Sequence, residues 1–597
     1  MAQLPNIIEQ EKSLPSVVLW VLGLAYKYKK KVFIAFFIFT VISAIFSFLN
    51  IIGFSKIVSL LENKNVTFKA VIPYLVLLFT VEYLPPVVSY IKSHFNGILT
   101  RDVREELETQ RYAKTASLDI ATIEQPEFQD LLVKANRGVG SVGALIDFSF
   151  NIIRDFTSFI FASIILIKVL PVGFLIIFLS LIPAFLMEHF SSKKLYKLWE
   201  MQIVANRSIS TKSNPFLSKI GLVEIKFYKA AKYLLNKITL LRERKNDEVD
   251  HFSLTRIPFY AGTVLLSELG SIIVIGAVIV QVIGGTVSIG VLTLIWGTIS
   301  RFSTVTEQLF RSFGRLAEHQ AHVLKLYSLL NMSEYIDSKK DGIIYNGTIP
   351  KIEFRNVSFS YPDTDVVVLK DLSFVIHPYE EMALVGLNGA GKTTLFRLIT
   401  RVYDPTEGEI LVNDVPLSEY NLESWRNNMS IMNQDYKVFE EETIKENIIF
   451  DSEEKSELLQ KVVDESDTST YLKNYEKGIN QLIGKEFRGG VELSKGQNQK
   501  MVLARTLYRN TPLVVLDEPT AAVDALSEDH IFKALRNNHK DQTRIIISHK
   551  FSNVRDADKI ILIEHGRIIE QGSHAELMKI TDGKYKELFE LQAEGYK

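Results

Sequence analysis

The chain of 597 residues contains no cysteine. That absence excludes disulfides, thiolate metal sites and any cysteine nucleophile. Charge of one sign is also missing as a surplus: 68 Lys and Arg face 69 Asp and Glu, a formal net charge of −1. With no basic excess to neutralise phosphates, a nucleic-acid partner is not expected. The sequence carries no repeat and no low-complexity tract. A cleavable signal peptide is not expected either, because the first apolar run follows Glu9 and Glu11 and lacks a small-residue cleavage site.

Apolar sequence is what the chain has in plenty, 47% of its residues, and it is unevenly placed. Nearly all long apolar runs precede residue 312, and the second half reads as a soluble α/β domain. Residues 32–54 carry no charge, enough to cross a bilayer as one helix. Further runs cover 70–91, 148–167 and 169–187, the last two split near Pro171. Residues 269–300 are uncharged but too long for one spanning helix at ~1.5 Å per residue, and Gly284-Gly285 breaks them into a hairpin. Six spans are therefore expected. The long loops at 92–140 and 188–256 are rich in Lys and Arg, and Lys27, Lys29, Lys30 and Lys31 precede the first span. This bias places both termini and both long loops in the cytoplasm. Periodic stretches in those loops, such as 223–235, suggest that the membrane helices run on into the cytosol. Residues 14–28, with Trp20, Tyr26 and Tyr28, read as a helix lying at the membrane interface. The expected division is a cytoplasmic or interfacial elbow at 1–31, a membrane domain at 32–325, a linker at 326–350 and a nucleotide-binding domain at 351–597.

Gly386-Leu-Asn-Gly-Ala-Gly391-Lys392-Thr393 matches the phosphate-cradling pattern GxxxxGK[ST] without mismatch. The backbone N–H groups of Gly386, Asn388, Gly389, Ala390 and Gly391 turn inward on an anionic tail. Lys392 adds a point charge for the outer phosphates, and the Thr393 hydroxyl ligates magnesium. An apolar run precedes the loop, and a helix-like run begins at Thr394. Downstream, Leu513-Val-Val-Leu-Asp517-Glu518 reads as a buried strand delivering two carboxylates, Asp517 for the magnesium shell and Glu518 to polarise an attacking water. Between them lies Leu493-Ser494-Lys495-Gly496-Gln497.

These three segments in that order resemble the nucleotide-binding domain of ABC transporters, and six spans fused to one such domain resemble a half-size exporter of that superfamily. The resemblance implies a six-span α-helical membrane domain of the type IV exporter kind, in a domain-swapped dimer, followed by an α/β P-loop ATPase domain. It implies ATP and Mg2+ as ligands. Tyr361 matches the aromatic that stacks on adenine, Gln434 the glutamine that contacts magnesium, Asp524 the acidic loop exchanged between paired domains, and His549 the switch histidine reaching the γ-phosphate. Ser494, Gly496 and Gln497 match the segment that caps ATP on the opposite subunit. Here the usual LSGGQ carries Lys495 in place of its first glycine. A homodimer with two working sites is favoured, since Glu518 and His549 are intact; a heterodimer in which Lys495 faces a weaker site is the alternative.

The implied mechanism is alternating access, with hydrolysis transmitted through cytoplasmic segments near 117–125 and 214–224. Glu82 and Glu268 lack obvious local partners and are the candidates for contact with a cationic part of the cargo. Asp147 and Arg154, seven apart on one helical face, read as a pair. The segments 484–490, Gln497-Asn-Gln499 and 118–128 are similar to exporters of lanthipeptides and other bacteriocins. The expected cargo is thus a peptide or amphipathic molecule leaving the cytoplasm through a bacterial plasma (inner) membrane, in contact with membrane lipid. A multidrug or lipid exporter, or a lipid-linked oligosaccharide flippase, is the alternative. No leader peptidase is expected in this chain, which has no Cys.

Overall fold

The computed structural model describes residues 14–62, 66–333, 341–362, 364–450 and 452–594. Residues 1–13 of the expected elbow, 334–340 of the expected linker and 595–597 of the expected nucleotide-binding domain lie outside the described residues. The chain divides into two compact units, Met1–Leu118 with Glu124–Ser333, and Asp119–Ile123 with Glu334–Lys597.

The first unit is helical. Its elements are α1 (Leu14–Tyr28), α2 (Lys30–Leu61), α3 (Phe68–Ser117), α4 (Ile120–Glu124, whose first residues cluster with the second unit), α5 (Pro126–Val169), α6 (Pro171–Ser213), α7 (Lys219–Phe227), α8 (Ala231–Ile283) and α9 (Ile289–Leu330). The breaks fall where backbone chemistry requires them. Pro171 begins α6 directly after Leu170, which stands at φ −147° and ψ 75°; proline suits the first helical turn because its missing N–H would be unpaired there anyway. Gly285, at φ +72°, turns α8 into α9, and the Ser288 side chain caps α9 by accepting from the Val291 N–H. The uncharged run 32–54 understates its helix. α2 continues to Leu61, because Ser55 donates to the Gly290 carbonyl at 2.7 Å and Glu62 accepts the Gly290 N–H at 3.0 Å, tying its far end to the start of α9.

Among the described residues, five helices are long and apolar enough to cross a membrane: Lys30–Leu61, Phe68–Ser117, Pro171–Glu188, Ala231–Ile283 and Ile289–Leu330. α5, which contains the run 148–167, is not among them and carries Arg154 and Asp155 within that run. α3 and α8 have 50 and 53 residues, about 75–80 Å at ~1.5 Å per residue, more than twice a hydrocarbon core of about 30 Å. Small residues let the helices approach closely. A Cβ on Gly138 of α5 would meet the His322 carbonyl of α9 at 2.6 Å, and one on Gly297 of α9 would meet Ile51 of α2 at 2.9 Å.

The second unit holds two sheets. An antiparallel sheet runs β2 (Val367–Ile376), β1 (Ile352–Ser360), β4 (Glu407–Val412), β5 (Val415–Pro416). A six-stranded sheet runs β10 (Arg567–Gly572), β9 (Lys559–Glu564), β3 (Glu381–Val385), β8 (Thr543–Ile547), β7 (Leu513–Asp517), β6 (Met429–Met432), parallel except for β10 at the edge. β3, β7 and β8 are buried at every residue, as expected of parallel strands covered on both faces. Alternation sorts their side chains. Leu513 and Val515 pack with the antiparallel sheet, while Val514 and Leu516 pack with Met501, Val502 and Leu503 of the helix Lys495–Tyr508.

Candidate active site

Four adjacent parallel strands release their C-terminal ends at one edge, where open α/β sheets bind ligands. β3 leads into the phosphate loop, β8 into His549, β7 ends in Asp517 with Glu518 directly after it, and Gln434 follows β6.

The loop conformation requires its glycines. Gly386 and Gly391 stand at φ +154° and +109°, and an added Cβ would lie 2.3 Å from the Ile563 carbonyl and 2.6 Å from the Leu369 side chain respectively. Gly389 stands at φ +78° over open space. The helix Lys392–Ile399 starts directly after the loop, so its free N–H groups face the space a phosphate tail would fill. Lys392 is buried and donates from Nζ to the Gly386 carbonyl at 2.7 Å and the Leu387 carbonyl at 3.1 Å. Burial pushes its pKa down, and the carboxylates of Glu518 and Asp517 pull it back up.

Glu518 is held on both carboxylate oxygens. His549 Nδ1 lies 2.6 Å from Oε1, and Gln434 donates from Nε2 to Oε2 at 3.0 Å. Its backbone stands at φ +51°, the left-handed region that costs a non-glycine residue about 1–3 kcal/mol and persists where surrounding contacts enforce it. The next strand supplies one such contact, the Glu518 N–H donating to the Ile547 carbonyl at 2.9 Å. Gln499 supplies another, donating from Nε2 to the Glu518 carbonyl at 2.8 Å.

Burial, and then the neighbouring charge of Glu518, push the Asp517 carboxyl up from 3.8 to about 6. Because the folded value is raised, its ionised form destabilises the empty fold as pH rises from about 4 through 6, by at most about 3 kcal/mol. Asp517→Asn is therefore expected to raise the unfolding temperature of nucleotide-free, magnesium-free protein by several degrees at pH 7.5 and by much less at pH 4.5. A differential melt showing no gain at pH 7.5 would refute this.

The donor set suits magnesium. Among the described residues no group of three or more His, Cys, Asp or Glu forms a metal cage. Magnesium beside a triphosphate needs little from the protein, typically one carboxylate and a hydroxyl, with phosphates and water completing the shell. Asp517 and the exposed Thr393 provide that pair. The Gln434 amide nitrogen is committed to Glu518, and its amide oxygen has no partner among the described residues.

The other sequence candidates fall into two groups. Tyr361 sits at the site: its hydroxyl lies 3.0 Å from Thr394 Oγ1, its ring meets Phe359 and Tyr403 edge-on at 5.0 and 5.4 Å, and the Arg397 guanidinium stands 5.7 Å from its centroid. Ser494, Gly496 and Gln497 form the start of the helix Lys495–Tyr508. Ser494 and Gln497 make a reciprocal capping box there, with Gln497 Oε1 accepting the Ser494 N–H at 2.9 Å. Among the described residues no hydrogen bond joins this segment to the phosphate loop of the same chain. Asp524 caps the helix Ala525–Asn538 by accepting from the Ser527 N–H and hydroxyl at 3.0 and 2.8 Å.

Residues 369–521 match the family described as ABC transporter. The second unit is an ABC transporter ATPase domain. Over 330 residues, 55% of this chain and 56% of the relative, the chain is 32% identical to YgaD of Bacillus subtilis strain 168, named for multidrug export as an ATP-binding/permease protein. Over 243 residues, 40% of this chain and 41% of the relative, it is 38% identical to an ATP-dependent lipid A-core flippase of Pasteurella multocida strain Pm70. The chain thus spans about half the length of the curated relatives it matches. The fold agrees over nearly the whole length with a bacterial Atm1-family ABC exporter solved with ATP bound, at a TM-score of 0.82 and 20% identity, covering 95% of this chain and 99% of that one. The chain is a multi-pass protein of a bacterial inner membrane with the ABC ATPase domain on the cytoplasmic side.

In the first unit the structure corrects two readings of the spans. Arg154 does not pair with Asp147. Its Nε donates to the adjacent Asp155 at 2.7 Å, and Asp147 accepts from Asn96 Nδ2 at 2.8 Å. Glu82 is not without a neighbour, since Asn50 of α2 donates to it at 3.1 Å, a pairing between helices that spacing within one helix does not reveal. Glu268 is exposed and has no partner among the described residues. Lys92 of α3 and Arg301 of α9 each lie within electrostatic reach of Arg154 and Asp155 of α5, and Lys92 also of Asp147. Beside Asp147 opens a cavity of about 480 Å³ lined by Asn96, Thr100, Arg101, Arg104 and Glu105.

Proposed function

We propose that this chain is one half of a dimeric, ATP-driven exporter that moves an amphipathic molecule out of the cytoplasm by alternating access. The observation that carries the reading is the convergence of Lys392, Asp517, Glu518, Gln434 and His549 past four neighbouring strand ends, in a chain whose described residues include five helices long and apolar enough to cross a membrane. Glu518, oriented by His549 and Gln434, withdraws a proton from the attacking water, and Lys392 with the loop N–H groups offsets charge on the transferred phosphoryl group. Thr393 and Asp517 would hold magnesium, which would supply further charge neutralisation at the phosphates when bound. Ser494 and Gly496, free of the loop of their own chain, suit the ATP of a partner, and a homodimer is the simplest partnership. Leu217, Ile220 and Phe227, in and beside α7, are 83%, 79% and 79% exposed, which supports docking of the 214–224 segment on a second chain. The second coupling contact is assigned to 117–125.

For the cargo, the peptide reading rests on the motor and loop segments, whereas the membrane unit favours an anionic head group. Lys92, Arg154 and Arg301 bring three cations to Asp155, with Asp147 beside Lys92 alone, and ionisable groups in or beside spans face ligand, water or each other. A lipid exporter or lipid-linked oligosaccharide flippase is therefore the second reading. The test is ATP turnover by the purified chain in lipid vesicles. An acidic glycolipid is expected to stimulate it several-fold in the parent and not at all in Lys392→Ala, which should also stop lipid movement. Stimulation by a cationic peptide alone would return the cargo to the peptide class. Cargo movement undiminished in Lys392→Ala would overturn the exporter reading.

A further inference from the structure

Gln499 is buried in the helix Lys495–Tyr508, 4% exposed, and both ends of its amide are engaged on a different segment. Its Nε2 donates to the Glu518 carbonyl at 2.8 Å, and its Oε1 accepts the Ala522 N–H at 2.7 Å. Three residues earlier on the same helical face, Gly496 presses on the same turn, for a Cβ there would lie 2.7 Å from the Ala522 carbonyl. The helix start that carries Ser494 and Gly496 thus holds the Ala522 N–H through Gln499 and packs Gly496 against the Ala522 carbonyl, and through Gln499 it also reaches the backbone of Glu518.

Glu518 needs such a grip. Its left-handed φ of +51° is an unfavourable conformation for glutamate, and the other backbone donor to its carbonyl, the Ala521 N–H, stands at 3.3 Å. Without the Gln499 amide, the peptide after Glu518 is freer to relax, and the carboxylate would leave the position shared with His549 and Gln434.

We propose that Gln499 is a positioning residue that holds the Glu518 backbone in its left-handed conformation and ties it to the helix start bearing Ser494 and Gly496. Resting on the exporter reading, this means that contact of Ser494 and Gly496 with one nucleotide is transmitted to the carboxylate that acts on another. Gln499 touches no substrate; it acts through Glu518.

The test uses the full-length chain in lipid vesicles with ATP and magnesium. Gln499→Met keeps length and burial but removes both hydrogen bonds. Its kcat is expected to fall about 100-fold, as for a misplaced reacting group, while the Kd of a fluorescent ATP analogue and the unfolding temperature stay near the parent's. Gln499→Glu retains an acceptor for Ala522 but loses the donor to Glu518, and is expected to lose as much. The ATP dependence of turnover is expected to lose any cooperativity shown by the parent. A kcat within twofold of the parent in Gln499→Met, or a loss explained by a reduced folded fraction, would overturn the proposal. Parent-like kcat in Gln499→Glu would do so too, by moving the role to the Ala522 contact. These outcomes presuppose a parent that hydrolyses ATP; an inactive parent would strike at the exporter reading instead.

Discussion

Exchanging Glu518 for glutamine is expected to slow ATP turnover about a thousandfold while ATP affinity changes by less than about threefold. The reasoning is geometric. The carboxylate directly follows the end of a fully buried strand, its two oxygens are taken up by His549 and Gln434, and Lys392 and Asp517 lie within electrostatic reach. Glutamine has the same shape and keeps an oxygen for the Gln434 amide, so the loop that binds phosphate has no reason to move. What disappears is the ability to accept a proton from water. Single-turnover hydrolysis and equilibrium binding of a fluorescent ATP analogue separate the two effects. If the variant turns over at more than about a tenth of the parent rate, another group is the base. If it no longer binds nucleotide, the carboxylate is supporting the loop rather than the chemistry.

This part of the site was legible because its parts are local. A buried apolar strand, a glycine loop and a helix occupy consecutive residues from Glu381 to Ile399, and the acids end a second such strand. Spacing alone therefore places Lys392, Thr393, Asp517 and Glu518, and the helix breaks at Leu170 and Gly285 were legible for the same reason. Contacts between distant segments were not. That Gln499 clasps the Glu518 carbonyl depends on packing of the helix Lys495–Tyr508 against β7, which periodicity does not reveal. The C-terminal helix is a second instance: Gln592 donates to the His549 carbonyl at 2.5 Å and accepts the Phe551 N–H at 2.9 Å, bracketing the loop that carries His549. In the membrane unit, spacing suggested that Asp147 pairs with Arg154, seven residues on. Arg154 bonds instead to its immediate neighbour, and Asp147 reaches across to Asn96 of α3.

Alanine at Gly386 and alanine at Gly389 are expected to have very different consequences, although both glycines belong to one loop and both have positive φ. At Gly389 the space around an added methyl group is open, so only the backbone conformation at φ +78° resists, at about 1–2 kcal/mol. ATP affinity should fall by no more than about tenfold to thirtyfold. At Gly386 the conformational penalty is joined by a collision. The new Cβ would lie 2.3 Å from the carbonyl oxygen of Ile563, a backbone atom of β9 paired with β10, which cannot swing aside as a side chain would. Forced overpacking of this kind costs about 1–3 kcal/mol more, and relieving it means moving the peptide whose carbonyl anchors Lys392 at 2.7 Å. Affinity for ATP is expected to fall at least about a hundredfold in Gly386→Ala, with a lower unfolding temperature, because β9 and the loop must separate. Titration of both variants with a fluorescent ATP analogue, alongside thermal melts without nucleotide, makes the comparison. Equal losses at the two positions would show that the loop answers to backbone freedom alone and that its packing against Ile563 contributes nothing to holding the phosphate cradle.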